Sequence, residues 1–159
     1  MGERIRRIWA DEASETGSPA LLYTHQPFDA ALILGSGYSW FTDLLRDPVA
    51  LPYSEIEGMP ASTVSGHSGQ LVAGTLPSAE LPGAEPETSR PRRLLVFSGR
   101  FHHYEGHPYS ATTLPVRLAH ALDARRLLLT NAAGGIRDEF HVGDLMLIDA
   151  FIRPSHRLH

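Results

Sequence analysis

Short apolar runs alternate with amphipathic segments along this chain. The runs are bounded by glycine, proline and charged residues, and they have the length of strands that are buried on both faces of a sheet. The predicted strands are Ala30–Leu34, Gln70–Leu76, Arg93–Phe97, Arg126–Thr130 and Asp144–Asp149. Helical spacing of apolar residues predicts helices over the first sixteen residues, Tyr38–Leu45 and Ser110–Leu122. Strands that alternate with helices indicate an α/β fold with helices on both faces of the sheet.

Three glycine-containing turns follow predicted strands, at Gly35–Gly37, Gly99–His102 and Asn131–Gly135. In sheets of this kind, ligands bind at the carboxyl ends of the strands. We therefore expect these turns to lie along one edge of the sheet. A further segment, Pro77–Pro91, carries four prolines and is predicted to be an exposed loop that joins two strands, because proline interrupts regular structure.

The size and composition are those of one globular domain over residues 1–159. Of these residues 42% are hydrophobic and 20% are charged, as is usual for a globular protein. The net charge of −4 gives no support to nucleic-acid binding or to polybasic attachment at a membrane. No apolar run approaches the roughly 20 residues that cross a bilayer. Cysteine is absent, so a thiolate nucleophile and a disulfide framework are excluded. We expect a cytoplasmic protein.

The segment Ser98–His107 carries the densest chemistry: one arginine, three histidines, a tyrosine and a glutamate directly after a predicted buried strand. Arg100 and His102 are two residues apart, so in extended backbone both side chains face the same side. A guanidinium and an imidazolium both suit phosphate oxygens, and a carboxylate such as Glu105 commonly orients histidine. The pattern favours an anion site, with a solvated polar loop as the alternative.

A metal site is the less favoured interpretation of the histidines. His102, His103 and His107 are candidate imidazole ligands, as are His156 and His159 near the end of the chain. No cysteine-bearing or carboxylate-rich spacing accompanies them, and Arg100 would repel a cation. We predict no metal.

The other glycine-containing turns each leave two interpretations open. Ser36 lies in a Gly-Ser-Gly turn that is either a plain structural turn or an anion cradle of backbone N–H groups. Trp40 stands where the dinucleotide fingerprint needs a small residue, which disfavours a nicotinamide site. His67 lies between glycines and is either solvated or part of a site. Asn131–Gly135 fits either a ligand against bare backbone or close helix–strand packing.

Four motifs in one order resemble the trimeric, low-molecular-mass purine nucleoside phosphorylases. They are Leu34–Gly37 (LGSG), Gly66–Gly69 (GHSG), Gly99–Gly106 (GRFHHYEG) and Thr130–Gly135 (TNAAGG). Val142–Ile148 also looks like the next strand of this family, so the resemblance runs from about residue 28 to 148. It implies a mixed, largely parallel β-sheet flanked by helices, and a homotrimer.

The resemblance also implies roles for particular residues. Ser36, His67, Arg100 and His102 would hold phosphate, with the backbone at Ala132 as a further contact. Tyr104 would touch the ribose, and Glu105 and Asn131 would support the phosphate cluster.

The implied reaction is reversible phosphorolysis of purine (deoxy)ribonucleosides to the free base and (deoxy)ribose 1-phosphate, a pentosyl transfer of purine salvage. The partners would be a purine nucleoside and inorganic phosphate as co-substrate, with no cofactor. A 5′-methylthioadenosine phosphorylase-like enzyme is an alternative, although those enzymes lack the His-Tyr-Glu-Gly pattern of residues 103–106.

The subunits of this family are substantially longer than 159 residues, and their downstream part supplies the Glu and Asn residues that recognise the purine. We therefore expect an amino-terminal portion, truncated at the carboxyl end, with a phosphate half-site and no identifiable base-binding half. A non-catalytic remnant that binds phosphate or nucleoside is the second hypothesis. An uncovered edge or face after the last predicted strand predicts self-association.

Overall fold

The computed structural model describes residues 1–16, 26–60, 69–77 and 90–152. Its helices and longer strands, in chain order, are α1 (Gly2–Thr16), β1 (Ala30–Leu34), β2 (Arg46–Pro52), β3 (Gln70–Leu76), β4 (Arg92–Ser98), α2 (Tyr109–Thr112), α3 (Leu114–Ala121) and β5 (Leu127–Leu129). Short 3-10 helices lie at Ser39–Leu44, Tyr53–Glu55 and His103–Glu105. None of the helices in these ranges is long and apolar enough to cross a membrane.

The strands form one mixed sheet with the order β2-β3-β4-β1-β5. β1 is parallel to β4 on one side and to β5 on the other, whereas β3 is antiparallel to both β2 and β4. The carboxyl ends of β4, β1 and β5 therefore share one edge. Gln70 pairs with Ser98, which brings the amino end of β3 to the same edge. The predicted α/β fold with a mixed sheet is confirmed.

Side chains of the central strands alternate between two apolar clusters. On β1, Ala31 and Ile33 belong to one cluster, and Leu32 and Leu34 to the other, because successive side chains of a strand point to opposite faces. α1 and α3 contribute to the first cluster, and Phe41 packs against the second. Burial on both faces explains why these strands are continuous apolar runs in the sequence.

Helix α1 confirms the predicted amphipathic helix. Ile5 and Trp9 are four residues apart, so they share one face, and both are buried. The ring of Trp9 packs edge-on against Phe28, with 6.3 Å between the centroids. Arg6 donates to the carbonyl of Leu122 over 2.9 Å, which fastens α1 to the end of α3.

Two helical predictions differ from the structure. The predicted single helix Ser110–Leu122 is two helices, α2 and α3, on either side of Thr113. Pro115 lies in the first turn of α3, where a missing N–H is tolerated, but an unbroken helix would require that N–H to donate to Ala111. The predicted helix Tyr38–Leu45 is the shorter 3-10 helix Ser39–Leu44.

The strand predictions fail at the two outer positions of the sheet. The sequence does not reveal β2, because Pro48 and the positive φ of Asp47 (49°) interrupt it, and its register with β3 shifts there. β5 is predicted as buried, yet Leu129 is 65% exposed, since β5 is the edge strand of this sheet.

The predicted strand Asp144–Asp149 is wrong for this structure. These residues are exposed and have no regular secondary structure. Leu145 and Leu147 are 85% and 91% exposed. Apolar sequence alone cannot make a strand, because a strand needs a neighbouring ladder to satisfy its backbone groups.

The antiparallel pairing of β3 and β4 agrees with two strands joined by the proline-rich segment. Residues 78–89 of that segment lie outside the described residues. Its exposure and the single-domain assignment stay predictions.

Candidate functional site

The sheet brings three of the four glycine-containing motifs together at one edge. Gly35 follows β1, Gly99 follows β4 and Thr130 follows β5, and the parallel pairings place these strand ends side by side. The amide of Gly35 donates to Thr130 Oγ1 over 2.8 Å. Arg100 Nη1 donates to the carbonyl of Thr130 over 2.7 Å. The expected meeting of the three motifs is therefore observed as direct hydrogen bonds.

The fourth motif, Gly66–Gly69, is described only at its last residue. Gly69 donates to the carbonyl of Ser98 over 3.0 Å and accepts from the amide of Tyr53 over 2.8 Å. The last residue of this motif therefore lies beside the carboxyl end of β4. His67 lies outside the described residues, and its phosphate contact stays a prediction.

Gly35 occupies a place where backbones approach closely. A Cβ at this position would lie inside the van der Waals distance of the Thr130 carbonyl oxygen and 3.1 Å from Arg100 Nη1. Space, therefore, requires glycine here. Gly37 meets a different need, because its φ of 87° lies in the left-handed region. Ser36, between them, is exposed.

Arg100 extends from the turn after β4 and is half-buried. Its Nε donates to His102 Nε2 over 2.9 Å, and its Nη1 donates to the Thr130 carbonyl. Both acceptors are uncharged in this arrangement, and within the described ranges no carboxylate forms an ion pair with Arg100. A guanidinium has five N–H donors, so these two bonds leave most of its donors and all of its charge available to an anion.

Glu105 fixes the imidazole of His102. Its Oε1 accepts from the His102 amide over 2.9 Å and lies 2.6 Å from His102 Nδ1. Because Arg100 donates to Nε2, the hydrogen-bond pattern assigns the ring proton to Nδ1. The 3-10 helix His103–Glu105 makes this return possible, and Gly106 ends it with φ 83°.

The charge on His102 differs from the expectation. The sequence predicts two cations, Arg100 and an imidazolium at His102. In the structure His102 Nε2 accepts a hydrogen bond from Arg100, so the ring is neutral in this arrangement. Arg100 is the main positive charge of the cluster.

The second oxygen of Glu105 faces another histidine. Glu105 Oε2 lies 3.7 Å from His107 Nε2, and the Glu105 side chain is only 9% exposed. The ring of His107 packs edge-on against Phe101 at 5.4 Å. Within the described ranges, no three His, Cys, Asp or Glu side chains form a group that could hold a metal ion. The geometry instead directs Glu105 toward two imidazoles.

Tyr53 supports the turn from the buried side. Its hydroxyl donates to the Gly99 carbonyl over 2.8 Å, and its ring lies 5.5 Å from that of Phe101. Burial raises the pKa of Tyr53, so the hydroxyl remains a protonated donor. Gly99 adopts φ 117°, which a residue with a Cβ rarely adopts.

Sequence reasoning missed the contributions of Tyr53 and Thr130. A weak signal exists for Tyr53, because Val49, Leu51 and Tyr53 are buried at every second position, as along a strand with one buried face. Thr130 opens the recognised TNAAGG motif, but its bonds to Gly35 and Arg100 join residues 95 and 30 positions apart. Such pairs are invisible without the sheet order.

The remaining predicted site residues lie at the surface of the same edge. Tyr104 is 80% exposed, and its ring stacks on His102 with 4.6 Å between the centroids. Asn131 Nδ2 donates to the Ala132 carbonyl over 3.2 Å, and both residues are exposed. These positions are open to a ligand, and their individual roles stay predictions.

A groove of about 480 Å³ lies at the opposite end of β5, between α3 and the residues that precede β1 and β5. Pro27, His120 and Arg126 are among its lining residues. Arg100, His102 and Glu105 do not line it. The clustered polar side chains, rather than this groove, define the candidate site.

Comparisons with known proteins agree with the motifs. Purine nucleoside phosphorylase 1 of Geobacillus stearothermophilus is 43% identical over 121 residues, which cover 76% of this chain and 39% of the relative. The purine nucleoside phosphorylase of Rattus norvegicus is 44% identical over 124 residues, which cover 78% and 38%. The chain thus spans about two fifths of the length of these relatives.

Solved structures share the fold. Schistosoma mansoni purine nucleoside phosphorylase in complex with adenosine matches with a TM-score of 0.58 at 30% identity, over 89% of this chain and 42% of that one. A purine nucleoside phosphorylase in complex with ribose 1-phosphate matches with a TM-score of 0.59 at 31% identity, over 89% and 44%. The sequence profile of the phosphorylase superfamily matches residues 29–158, and the chain therefore belongs to the phosphorylase superfamily.

Proposed function

We propose that this chain carries the phosphate-binding part of a purine nucleoside phosphorylase. One observation supports this above the others: Arg100 is held by two uncharged acceptors, so its positive charge has no carboxylate partner in the described part of the chain. Phosphate oxygens match the planar guanidinium fork. The Gly35–Gly37 turn beside Arg100 adds backbone N–H groups and the Ser36 hydroxyl as further donors.

The proposed reaction is phosphorolysis of a purine nucleoside. The bond between the ribose C1′ and the purine nitrogen breaks, the purine leaves with the electron pair and takes up a proton, and a phosphate oxygen bonds to C1′. Positive charge develops at C1′ as the purine departs, as in glycoside cleavage. A phosphate dianion held by Arg100 would stabilise that charge, so this half of the site contributes positioning and electrostatics.

The ligands of the structural relatives agree with this substrate class. One of the similar phosphorylase structures contains adenosine and a second contains ribose 1-phosphate, which are a purine nucleoside and a sugar phosphate of the proposed type. Tyr104 stacks on His102, and we propose that it contacts the ribose. We further propose a cytoplasmic homotrimer that uses phosphate as co-substrate and no other cofactor.

A second candidate is phosphate or nucleoside binding without catalysis. The observation that favours it is the exposure of every residue from Asn131 to Ile152. These residues supply no buried wall for a purine beside the cluster. The 5′-methylthioadenosine phosphorylase-like alternative has less support, because the relatives described above are purine nucleoside phosphorylases.

The test is to incubate the 159-residue chain with inosine or guanosine, with and without phosphate, and to measure the free base released. A parallel calorimetric titration measures the binding of inorganic phosphate. Phosphate-dependent release supports the phosphorylase, and bound phosphate without release supports the non-catalytic candidate. A chain that neither binds phosphate nor releases base contradicts both.

A further inference from the structure

Thr130 is the point at which three strand ends are joined. Its amide donates to the carbonyl of Ile33 over 3.1 Å, which continues the pairing between β5 and β1. Its hydroxyl oxygen accepts from the Gly35 amide, and its carbonyl accepts from Arg100 Nη1. Every hydrogen-bonding unit of this residue thus touches a motif of the candidate site or the strand that leads to it.

The backbone bonds of Thr130 do not depend on the residue type, whereas its side-chain bond does. The bonds through its amide and carbonyl would form with any residue at this position. Only the hydroxyl adds the bond to Gly35, and that bond fixes the amide directly before Ser36. The carbonyl of the same residue accepts from Arg100 Nη1, so Thr130 is bonded to both the Gly35–Gly37 turn and the guanidinium. The hydroxyl therefore sets the spacing between the Gly35–Gly37 turn and the guanidinium.

We propose that Thr130 is a positioning residue for phosphate: through its hydroxyl it holds the Gly35–Gly37 turn at the distance from Arg100 that lets one phosphate contact both. This inference rests on the proposed phosphate site. The proposed role uses Thr130 as an acceptor, because its hydroxyl oxygen accepts from the Gly35 amide and its carbonyl oxygen accepts from Arg100. Preorganised donors bind without the cost of ordering them first.

The test compares Thr130→Val, which keeps the branched shape and removes the hydroxyl, with Thr130→Ser, which keeps the hydroxyl and removes the methyl group. Thr75→Val is the matched control, because Thr75 is a half-buried strand threonine whose hydroxyl also bonds to backbone, at Arg46. Calorimetric titration with inorganic phosphate gives the Kd of each full-length variant, and thermal unfolding gives its Tm.

Thr130→Val is expected to raise the phosphate Kd roughly 3- to 10-fold, the range for one lost hydrogen bond. Thr130→Ser is expected to stay within about 2-fold of wild type, and Thr75→Val to lower Tm without changing Kd. This rescue by serine separates positioning from bulk stability. If Thr130→Val does not fold, Thr130→Cys, which retains only a weak acceptor, carries the same expectation.

Two results would overturn the inference. The first is a Thr130→Val protein that binds phosphate as wild type does, and the second is a Thr130→Ser protein as weak as Thr130→Val. Arg100→Ala distinguishes the two levels of the proposal. If Arg100→Ala weakens binding and Thr130→Val does not, only the role of Thr130 fails. If phosphate binds neither wild type nor any variant, the phosphate site fails and Thr130 with it.

Discussion

Arg90 and Arg100 lie at opposite ends of β4, and their hydrogen-bond acceptors differ in charge. Before β4, Arg90 forms a bidentate ion pair with Asp29, whose side chain is 10% exposed. After β4, Arg100 donates to two uncharged acceptors in the described part of the chain, His102 and Thr130. The nearby carboxylate, Glu105, is directed at His102. The charge of the acceptor, more than the residue type, distinguishes a structural arginine from one that can bind an anion.

The ion pair between Arg90 and Asp29, at the amino ends of the strands, is satisfied within the protein. Asp29 also accepts from the Arg93 amide over 2.9 Å. The Arg90 guanidinium thus neutralises the carboxylate, and three N–H groups donate to its oxygens. The hydrogen bond from Arg90 lowers the pKa of Asp29, against the opposing effect of desolvation. Because Asp29 compensates the charge of Arg90 and accepts from both of its terminal nitrogens, we do not expect this arginine to bind an external anion.

The largest expected effect comes from removing the uncompensated charge. Arg100→Ala is expected to raise the Kd for inorganic phosphate roughly 10- to 100-fold, because a hydrogen bond to a charged group contributes about 1.5–3 kcal/mol. Isothermal titration calorimetry at fixed ionic strength measures it. Arg90→Ala is the matched control, with a Kd within about 2-fold of wild type. Equal losses in both variants would show that the two arginines do not differ as described.

The next effect is on stability, at the other end of the sheet. Asp29→Asn removes the charge that Arg90 and Arg93 engage, and should lower the free energy of unfolding at neutral pH by about 1–2 kcal/mol. Chemical denaturation checks the value. Phosphate affinity should not change, and a weakened phosphate Kd in Asp29→Asn would contradict the separation of the two ends.

The lowered pKa of Asp29 determines the direction in which stability changes with pH. The pKa of Asp29 is lower in the folded protein than in the unfolded chain, whose value is about 3.9. Its stabilisation is therefore complete above that unfolded pKa and is lost as the pH falls through the folded pKa. The difference in unfolding free energy between wild type and Asp29→Asn should persist from neutral pH to about pH 5 and shrink below pH 4. A difference that grew on acidification would contradict this sign.

The smallest effect is expected at the buried support of the Arg100 turn. Tyr53→Phe keeps the ring against Phe101 but deletes the bond to the Gly99 carbonyl, at a cost of about 1 kcal/mol in stability. Because the turn that carries Arg100 loses a support, the phosphate Kd should rise about 2- to 5-fold. Thermal unfolding and phosphate titration measure the two effects. An unchanged stability would mean that this bond does not hold the turn.

The centre of the fold is predictable from sequence because its strands are buried on both faces. The runs at Ala30–Leu34, Gln70–Leu76 and Arg93–Phe97 became β1, β3 and β4 with nearly the same bounds. The outer positions are not predictable in this way. β2 contains a proline and a positive-φ aspartate, and β5 carries the apolar composition of a buried strand although it lies at an exposed edge.

The candidate site is also only partly predictable from the sequence. The strand-end rule predicts that the turns after β1, β4 and β5 lie at one edge, but the hydrogen bonds that join Gly35 and Arg100 to Thr130 do not follow from it. The state of His102 does not follow, because it depends on which partner donates to Nε2. Neither does the support from Tyr53, since its partner lies 46 positions away. Side-chain pairing across the sheet requires the topology, and local sequence does not contain it.

We expect Arg100 to bind phosphate because its charge has no carboxylate partner among the residues that the structure describes. The most direct measurement follows the side-chain Nε–H resonances of Arg100 and Arg90 by NMR while inorganic phosphate is added to the isotopically labelled chain. We expect the Arg100 resonance to shift and to saturate at the calorimetric Kd while that of Arg90 stays in place. A bound phosphate that leaves Arg100 unmoved, or that shifts Arg90 equally, would contradict it.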